Sequence, residues 1–114
     1  MKYTDKYDIN LRKMECKKIL LKHPNKIPII VEKNDKCSFI DINKKKYLSP
    51  NDMPISQFIF IIRKRISLKP SETLFVMIND KIIPNGKTLG EIYEDEKNED
   101  GFLYMVYTSE NTFG

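Results

Sequence analysis

Between Asp52 and Leu68 the chain places Ile55, Phe58, Ile62 and Ile66 on one face of a helix, and Ile59, Phe60 and Ile61 widen that face. The pattern predicts a helix over 55–68 that is buried on more than one side. Asp52 and Pro54 stand at its start, where a cap and a first-turn proline belong. Such a helix needs cover from several directions, and the flanking sequence supplies strand-like runs. Ile27-Pro28-Ile29-Ile30-Val31 is a largely β-branched run bounded by charge. Pro28 within it predicts an edge position or the beginning of a strand, because proline cannot donate to a ladder. Asn34-Asp35-Lys36 reads as a turn. Lys46-Tyr47-Leu48, Leu74 to Ile78 and Phe102 to Tyr107 read as three further strands, and Thr88-Leu89-Gly90-Glu91 is a capping box that opens a short helix.

The order is strand, strand, long helix, strand, short helix, strand, which is that of an α+β β-grasp. Helical sequence precedes it. Ile9, Leu11, Met14, Cys16, Ile19, Leu20 and Leu21 recur among lysines at an imperfect helical period that Pro24 ends. At 114 residues the chain is expected to form one domain. Residues 1–24 are its helical extension, 25–108 its β-grasp core and 109–114 a flexible tail. The hydrophobic fraction of 40% fits a globular protein, and no run approaches the roughly 20 apolar residues of a membrane span. Met1-Lys2-Tyr3-Thr4-Asp5 lacks the apolar centre of a secretory signal. Cys16 and Cys37 are far apart and in no paired motif, so free thiols in a reduced compartment are expected. Lysine, isoleucine and asparagine are abundant and arginine is scarce, a bias typical of AT-rich coding. The net charge of +4 is therefore discounted as a nucleic-acid signal.

No catalytic or metal site emerges. Gly86-Lys87-Thr88 resembles the end of a phosphate-binding loop, but the glycine required five residues earlier is Lys81. Glu96 to Gly101 resembles half a calcium loop. The position that should carry the bidentate glutamate is Tyr107, and a strand follows instead of a helix. His23, the single histidine, has no nearby cysteine or acidic partners for a metal. Glu99 and Asp100 sit in a charged turn. Lys44-Lys45-Lys46 leads into Tyr47-Leu48. It reads either as a solvated turn or as an edge strand that accepts an extended acidic peptide.

The last sixteen residues run from Glu99 to Gly114: an aromatic strand-like stretch, a polar tail, then Phe113 and a bare glycine. Glycine has no Cβ, and a carboxylate that must enter a narrow active site gains from that. This end resembles the reactive tail of a ubiquitin-like modifier. The resemblance extends through Lys22 to Lys33, Lys44 to Leu48 with Pro50, Gln57-Phe58 with Ile62 to Ile66, Leu74-Phe75, Asn79, Pro84, Leu89, Gly90 and Tyr93. From about Ile9 onward the chain is similar to the autophagy-related protein-eight family, relatives of GABA-receptor-associated protein and microtubule-associated-protein light chain three.

The resemblance implies a ubiquitin-like β-grasp with two added N-terminal helices, and no enzymatic activity or cofactor of its own. Activating and conjugating enzymes would join Gly114 to phosphatidylethanolamine, whose two acyl chains suffice for stable anchoring at about 0.8 kcal/mol per buried CH₂. A deconjugating cysteine protease would cut the link. With Gly114 as the end, no prior trimming would be needed. A first peptide pocket would comprise Glu15, Ile19, Pro28, Ile30, Lys46, Leu48 and Phe102, and would take the aromatic anchor of an acidic aromatic-x-x-aliphatic motif in cargo receptors and adaptors. A second, for the aliphatic anchor, would comprise Tyr47, Ser49, Pro50, Met53, Phe58 and Ile61. Lys44 and Arg65 would meet the motif's acidic residues. The free protein would be cytoplasmic and the lipidated form autophagosomal, or bound to a plastid-derived organelle as in some protist relatives.

Ser49 departs from the family's usual aliphatic residue, which implies a more polar second pocket. Pro54, Ser56, Asn79-Asp80 and Asn85-Gly86-Lys87 also depart. Two other readings compete: a modifier joined to protein lysines, and a basic nucleic-acid-binding domain. The latter gives no reason for the glycine.

Overall fold

The computed structural model describes residues 1–110. Gly114, the expected conjugation residue, lies outside the described residues. Two helices, α1 (Tyr3–Lys6) and α2 (Ile9–Lys22), precede β1 (Lys26–Lys33) and β2 (Lys46–Pro50). Helix α3 (Ile55–Arg65), strands β3 (Leu74–Ile78) and β4 (Lys81–Ile82), helix α4 (Leu89–Glu96) and β5 (Leu103–Ser109) complete the chain. The strands form one mixed sheet in the order β2-β1-β5-β3-β4, with β1 antiparallel to β2 and parallel to β5. This is the expected β-grasp.

Alternation along the strands divides the interior into two layers. Ile27, Ile29 and Val31 of β1 and Leu103, Met105 and Tyr107 of β5 join Ile55, Phe58 and Ile62 of α3 in the larger core. Ile30 and Phe102 point the other way and meet Cys16 of α2, with Tyr3, Ile19, Leu20 and Tyr104 around them. Burial on both faces explains why β1 reads as an unbroken apolar run.

Three expectations are corrected, and one alternative is decided. Strand β1 is interior, so of the two positions predicted for Pro28 the edge is not the one found. Pro28 pairs with Leu48 of β2, while the ladder to β5 begins one residue later, at Ile29. Its missing N–H thus falls near the strand's beginning, the other position predicted for it. Asp52 does not cap α3. The N-cap is Pro54, without a side-chain bond. The backbone of the α4 entry does the work instead: Ile55 N–H donates to the Lys87 carbonyl (3.0 Å), and Leu89 and Gly90 N–H donate to Met53 and Asn51 (2.9 and 2.8 Å). A Cβ on Gly90 would lie 2.9 Å from the Asn51 oxygen, so this close approach requires glycine.

Helix α3 ends at Arg65, not Leu68. Ser67 takes a left-handed φ of +53°, and Ser67 and Leu68 N–H return to Lys64 and Arg63 carbonyls (3.2 and 3.1 Å). This Schellman closure stops the helix while Leu68 still packs on the core. Strand β4 was not foreseen. Asn79 and Asp80 both have positive φ, the geometry of a two-residue hairpin turn, and Lys81 pairs with Ile78. At the other end, β5 runs from Leu103 to Ser109, and Ser109 is buried and paired with Leu74. The strand therefore enters the segment expected to be tail.

The capping box is present as expected: Glu91 N–H donates to Thr88 Oγ1 (3.2 Å) and Thr88 N–H to Glu91 Oε1 (3.0 Å). Helix α2 starts at Asp8, whose carboxylate accepts from Leu11 N–H (3.0 Å).

Candidate functional site

Among the described residues strand β2 ends the sheet, and its outer backbone groups face no further strand. Beside it runs α2, held against the sheet by Cys16. Between them lies a groove of about 600 Å³ lined by Lys18, Ile19, Leu21, Lys22 and His23 of the helix and its C-cap, and by Lys44, Lys46, Tyr47 and Leu48 of the strand and its approach. Its apolar floor can bury a large side chain. Four of the nine lining residues are lysines and none is acidic, so the groove favours an anionic occupant. An edge strand beside an apolar groove is the geometry for adding an extended peptide.

The predicted first-pocket residues assemble here in two tiers. Ile19, Lys46 and Leu48 line the groove. Ile30 and Phe102 are fully buried in the small core beneath α2, and Pro28 is buried on β1 beside Leu48. Glu15 does not line the groove itself and reaches it through Lys46. One of its carboxylate oxygens accepts from Lys46 Nζ and the other from the Tyr3 hydroxyl, while the Lys46 ammonium lies 5.2 Å from the Tyr3 ring centroid. Burial alone would raise the Glu15 carboxyl's pKa. The bonds from Lys46 and Tyr3 outweigh it and hold the group below the usual glutamate range. Burial, followed by the bond to Glu15, pushes the Tyr3 phenol well above its usual range.

The second set is closely packed. Tyr47 meets Phe58 edge to face, with centroids 5.4 Å apart at 83°. Phe58 and Ser49 are buried, and Pro50, Met53 and Ile61 are half-buried around them. Among the described residues the buried Tyr47 hydroxyl has no hydrogen-bond partner. Burial raises its pKa, and the nearby Arg65 charge opposes that rise. Lys44 Nζ lies 5.0 Å from the Tyr47 ring centroid. Tyr47 thus sits between the two cations expected to meet acidic residues.

Lys18, Leu21, Lys22 and His23 were not anticipated as lining residues. The helical period could have placed Lys18, Leu21 and Lys22 beside Ile19, but which helix edge faces β2 is a tertiary matter. Tyr3 was also missed, because α1 has a single turn and no period. Among the described residues, no group of three His, Cys, Asp or Glu side chains could hold a metal ion, and no helix is long and apolar enough to cross a membrane.

A β-grasp carrying two N-terminal helices defines a ubiquitin-like protein, here with a cation-rimmed groove beside its edge strand. The family described as "Autophagy protein Atg8 ubiquitin like" matches residues 11–114. The chain is 45% identical to autophagy-related protein 8 of Schizosaccharomyces pombe, covering 98% of this chain and 93% of the relative. It is 46% identical to autophagy-related protein 8e of Arabidopsis thaliana, covering 94% and 88%. The crystal structure of Trypanosoma brucei ATG8 superposes with a TM-score of 0.90 at 35% identity, covering 96% of this chain and 95% of that one. The chain belongs to the Atg8 family of ubiquitin-like autophagy proteins.

Proposed function

We propose that this chain is a modifier joined through Gly114 to phosphatidylethanolamine, acting in autophagosome formation and, once on the membrane, as an adaptor for acidic aromatic-x-x-aliphatic peptides. The groove between α2 and the free edge of β2 carries this reading, because it joins an apolar floor, a lysine rim and an open strand edge. The peptide's aromatic side chain enters beside Ile19 and Leu48, its backbone extends the sheet along β2, and its acidic residues meet Lys44, Lys46 and Arg65. The aliphatic anchor settles at the Tyr47–Phe58 patch, where Met53 and Ile61 are the half-buried members and so the easiest to part.

In the conjugation itself the chain is a substrate. An activating enzyme adenylates the glycine carboxylate and holds it as a thioester, and a conjugating enzyme passes the acyl group to the lipid amine. A cysteine protease reverses the link. Mass spectrometry of the membrane-bound form tests this reading. The expected product carries phosphatidylethanolamine in amide linkage on Gly114, and deleting Gly114 abolishes it without changing the melting temperature. A membrane-bound form that survives the deletion, or a product linked to a protein lysine, overturns it.

A further inference from the structure

Lysines 18, 22, 44 and 46 line the groove. Among the described residues, Lys46 alone of the four is held in an ion pair, and its partner is Glu15. An acidic occupant that takes the Lys46 ammonium must therefore draw it away from a carboxylate of this chain. What Glu15 retains after that loss helps to set how readily Lys46 leaves.

Tyr3 supplies what is retained. Its hydroxyl donates to one Glu15 oxygen, Oε2, while Lys46 Nζ donates to the other, Oε1. Two donors on one carboxylate divide its charge, so each is held less firmly than it would be alone. Burial, followed by the Glu15 bond, keeps the Tyr3 phenol protonated, and it stays a donor. The Tyr3 ring lies 5.2 Å from the Lys46 ammonium, an attraction that persists when the ammonium turns from Glu15. Helix α1 has one turn, no buried residue and no side-chain cap, so it does not hold Tyr3 by itself. The fold holds it instead. Tyr3 N–H donates to Glu32 Oε2 (2.7 Å), and its ring meets Phe102 edge to face with centroids 5.6 Å apart. Tyr3 does not line the groove, yet it touches the carboxylate that holds Lys46.

We infer that Tyr3 is a positioning residue for peptide docking: its hydroxyl keeps the Glu15 carboxylate satisfied while Lys46 turns from Glu15 to an acidic residue of the incoming peptide. The inference rests on the groove being the peptide site proposed above. Calorimetry tests it with an acidic aromatic-x-x-aliphatic peptide and a copy whose Asp and Glu are Asn and Gln. The proteins are wild type, Tyr3→Phe, Glu15→Gln and the double variant. Tyr3→Phe keeps the ring and its packing and removes one oxygen. It should weaken the acidic peptide by roughly three- to tenfold and leave the amide copy unchanged. In the Glu15→Gln background no carboxylate holds Lys46, so adding Tyr3→Phe should alter acidic-peptide affinity by less than about twofold. Unchanged affinity in Tyr3→Phe overturns the inference. Equal losses for both peptides also overturn it, by making Tyr3 a packing residue, as does a full loss that persists beside Glu15→Gln. A wild-type chain that binds neither peptide overturns the groove as the peptide site, and the inference with it.

Discussion

Arg12 and Asp100, separated by 88 residues, meet through Arg12 Nη1 and Asp100 Oδ2 at 2.7 Å. The Asp100 side chain is wholly enclosed. Its Oδ1 accepts from Phe102 N–H (2.8 Å) and its Oδ2 also accepts from the Tyr104 hydroxyl. Arg12 Nε donates to the Tyr7 carbonyl (3.0 Å). One ion pair thus ties α2, the junction after α1 and the entry to β5, and it fixes the helix that forms one wall of the groove.

Removing one partner should be costly, because the other charge is left buried and unpaired. Asp100→Ala is expected to destabilise the fold by about 3–5 kcal/mol, with amides of α1 and α2 losing exchange protection before those of α3. The pair Arg12→Met/Asp100→Leu should lose less than the two single losses added together. Denaturant unfolding measures both. A loss below about 1 kcal/mol for Asp100→Ala would show the site to be wetter than the structure has it.

Gly101 has a φ of +96°, and a Cβ there would lie 2.6 Å from Cys16 Sγ. Gly101→Ala therefore combines backbone strain of about 1–3 kcal/mol with a clash against α2. In a Cys16→Ala background the clash is relieved and the strain stays, so the penalty should shrink without vanishing. Thermal melts of the four proteins decide this. An unchanged penalty would mean that strain alone matters there.

Peptide docking should centre on Lys46 and Leu48. Replacing both with alanine should weaken an acidic aromatic-x-x-aliphatic peptide by roughly tenfold or more, since about 1.4 kcal/mol suffices for that. Isothermal calorimetry reads the change, and an unaltered affinity would place the site elsewhere.

The Glu15–Lys46 contact should respond to acid. Because the folded-state carboxyl titrates below its ordinary range, the stabilisation it brings is present above the unfolded pKa and is lost as pH falls through the folded one. Both side chains are about 40% exposed, so solvent screening keeps the effect on global stability small. The clear readout is the carboxyl carbon shift of Glu15 by NMR. Its midpoint should lie below that of an ordinary glutamate and move up in Lys46→Ala. A wild-type midpoint at the ordinary value would contradict this contact.

Much of this protein was legible in its sequence. Elements whose cause is local could be read directly: the Thr88–Glu91 capping box, the Ile55–Ile62 face and the β-branched run of β1. The β-grasp follows from their order, while the lysines before Tyr47 left a solvated turn and an edge strand both open, and the fold places β2 at the edge. The misreadings have physical reasons. Asp52 looked like a cap because residue type suggests one, but the N–H of Ile55 found the Lys87 carbonyl, a partner fixed only when two distant helix entries meet. Pro28 left an edge and a strand's beginning both open because the lost donor is a local fact, whereas the neighbours of β1 depend on where β5 returns. Helix α2 has an imperfect period because it carries apolar residues on two faces, and only packing against Ile30 and Phe102 decided which face went inside. Local hydrogen bonding and periodicity are written in adjacent residues. The Arg12–Asp100 pair, the depth of the groove and the exposure of Leu11 and Met14 depend on contacts between remote segments, which only the assembled fold brings within reach.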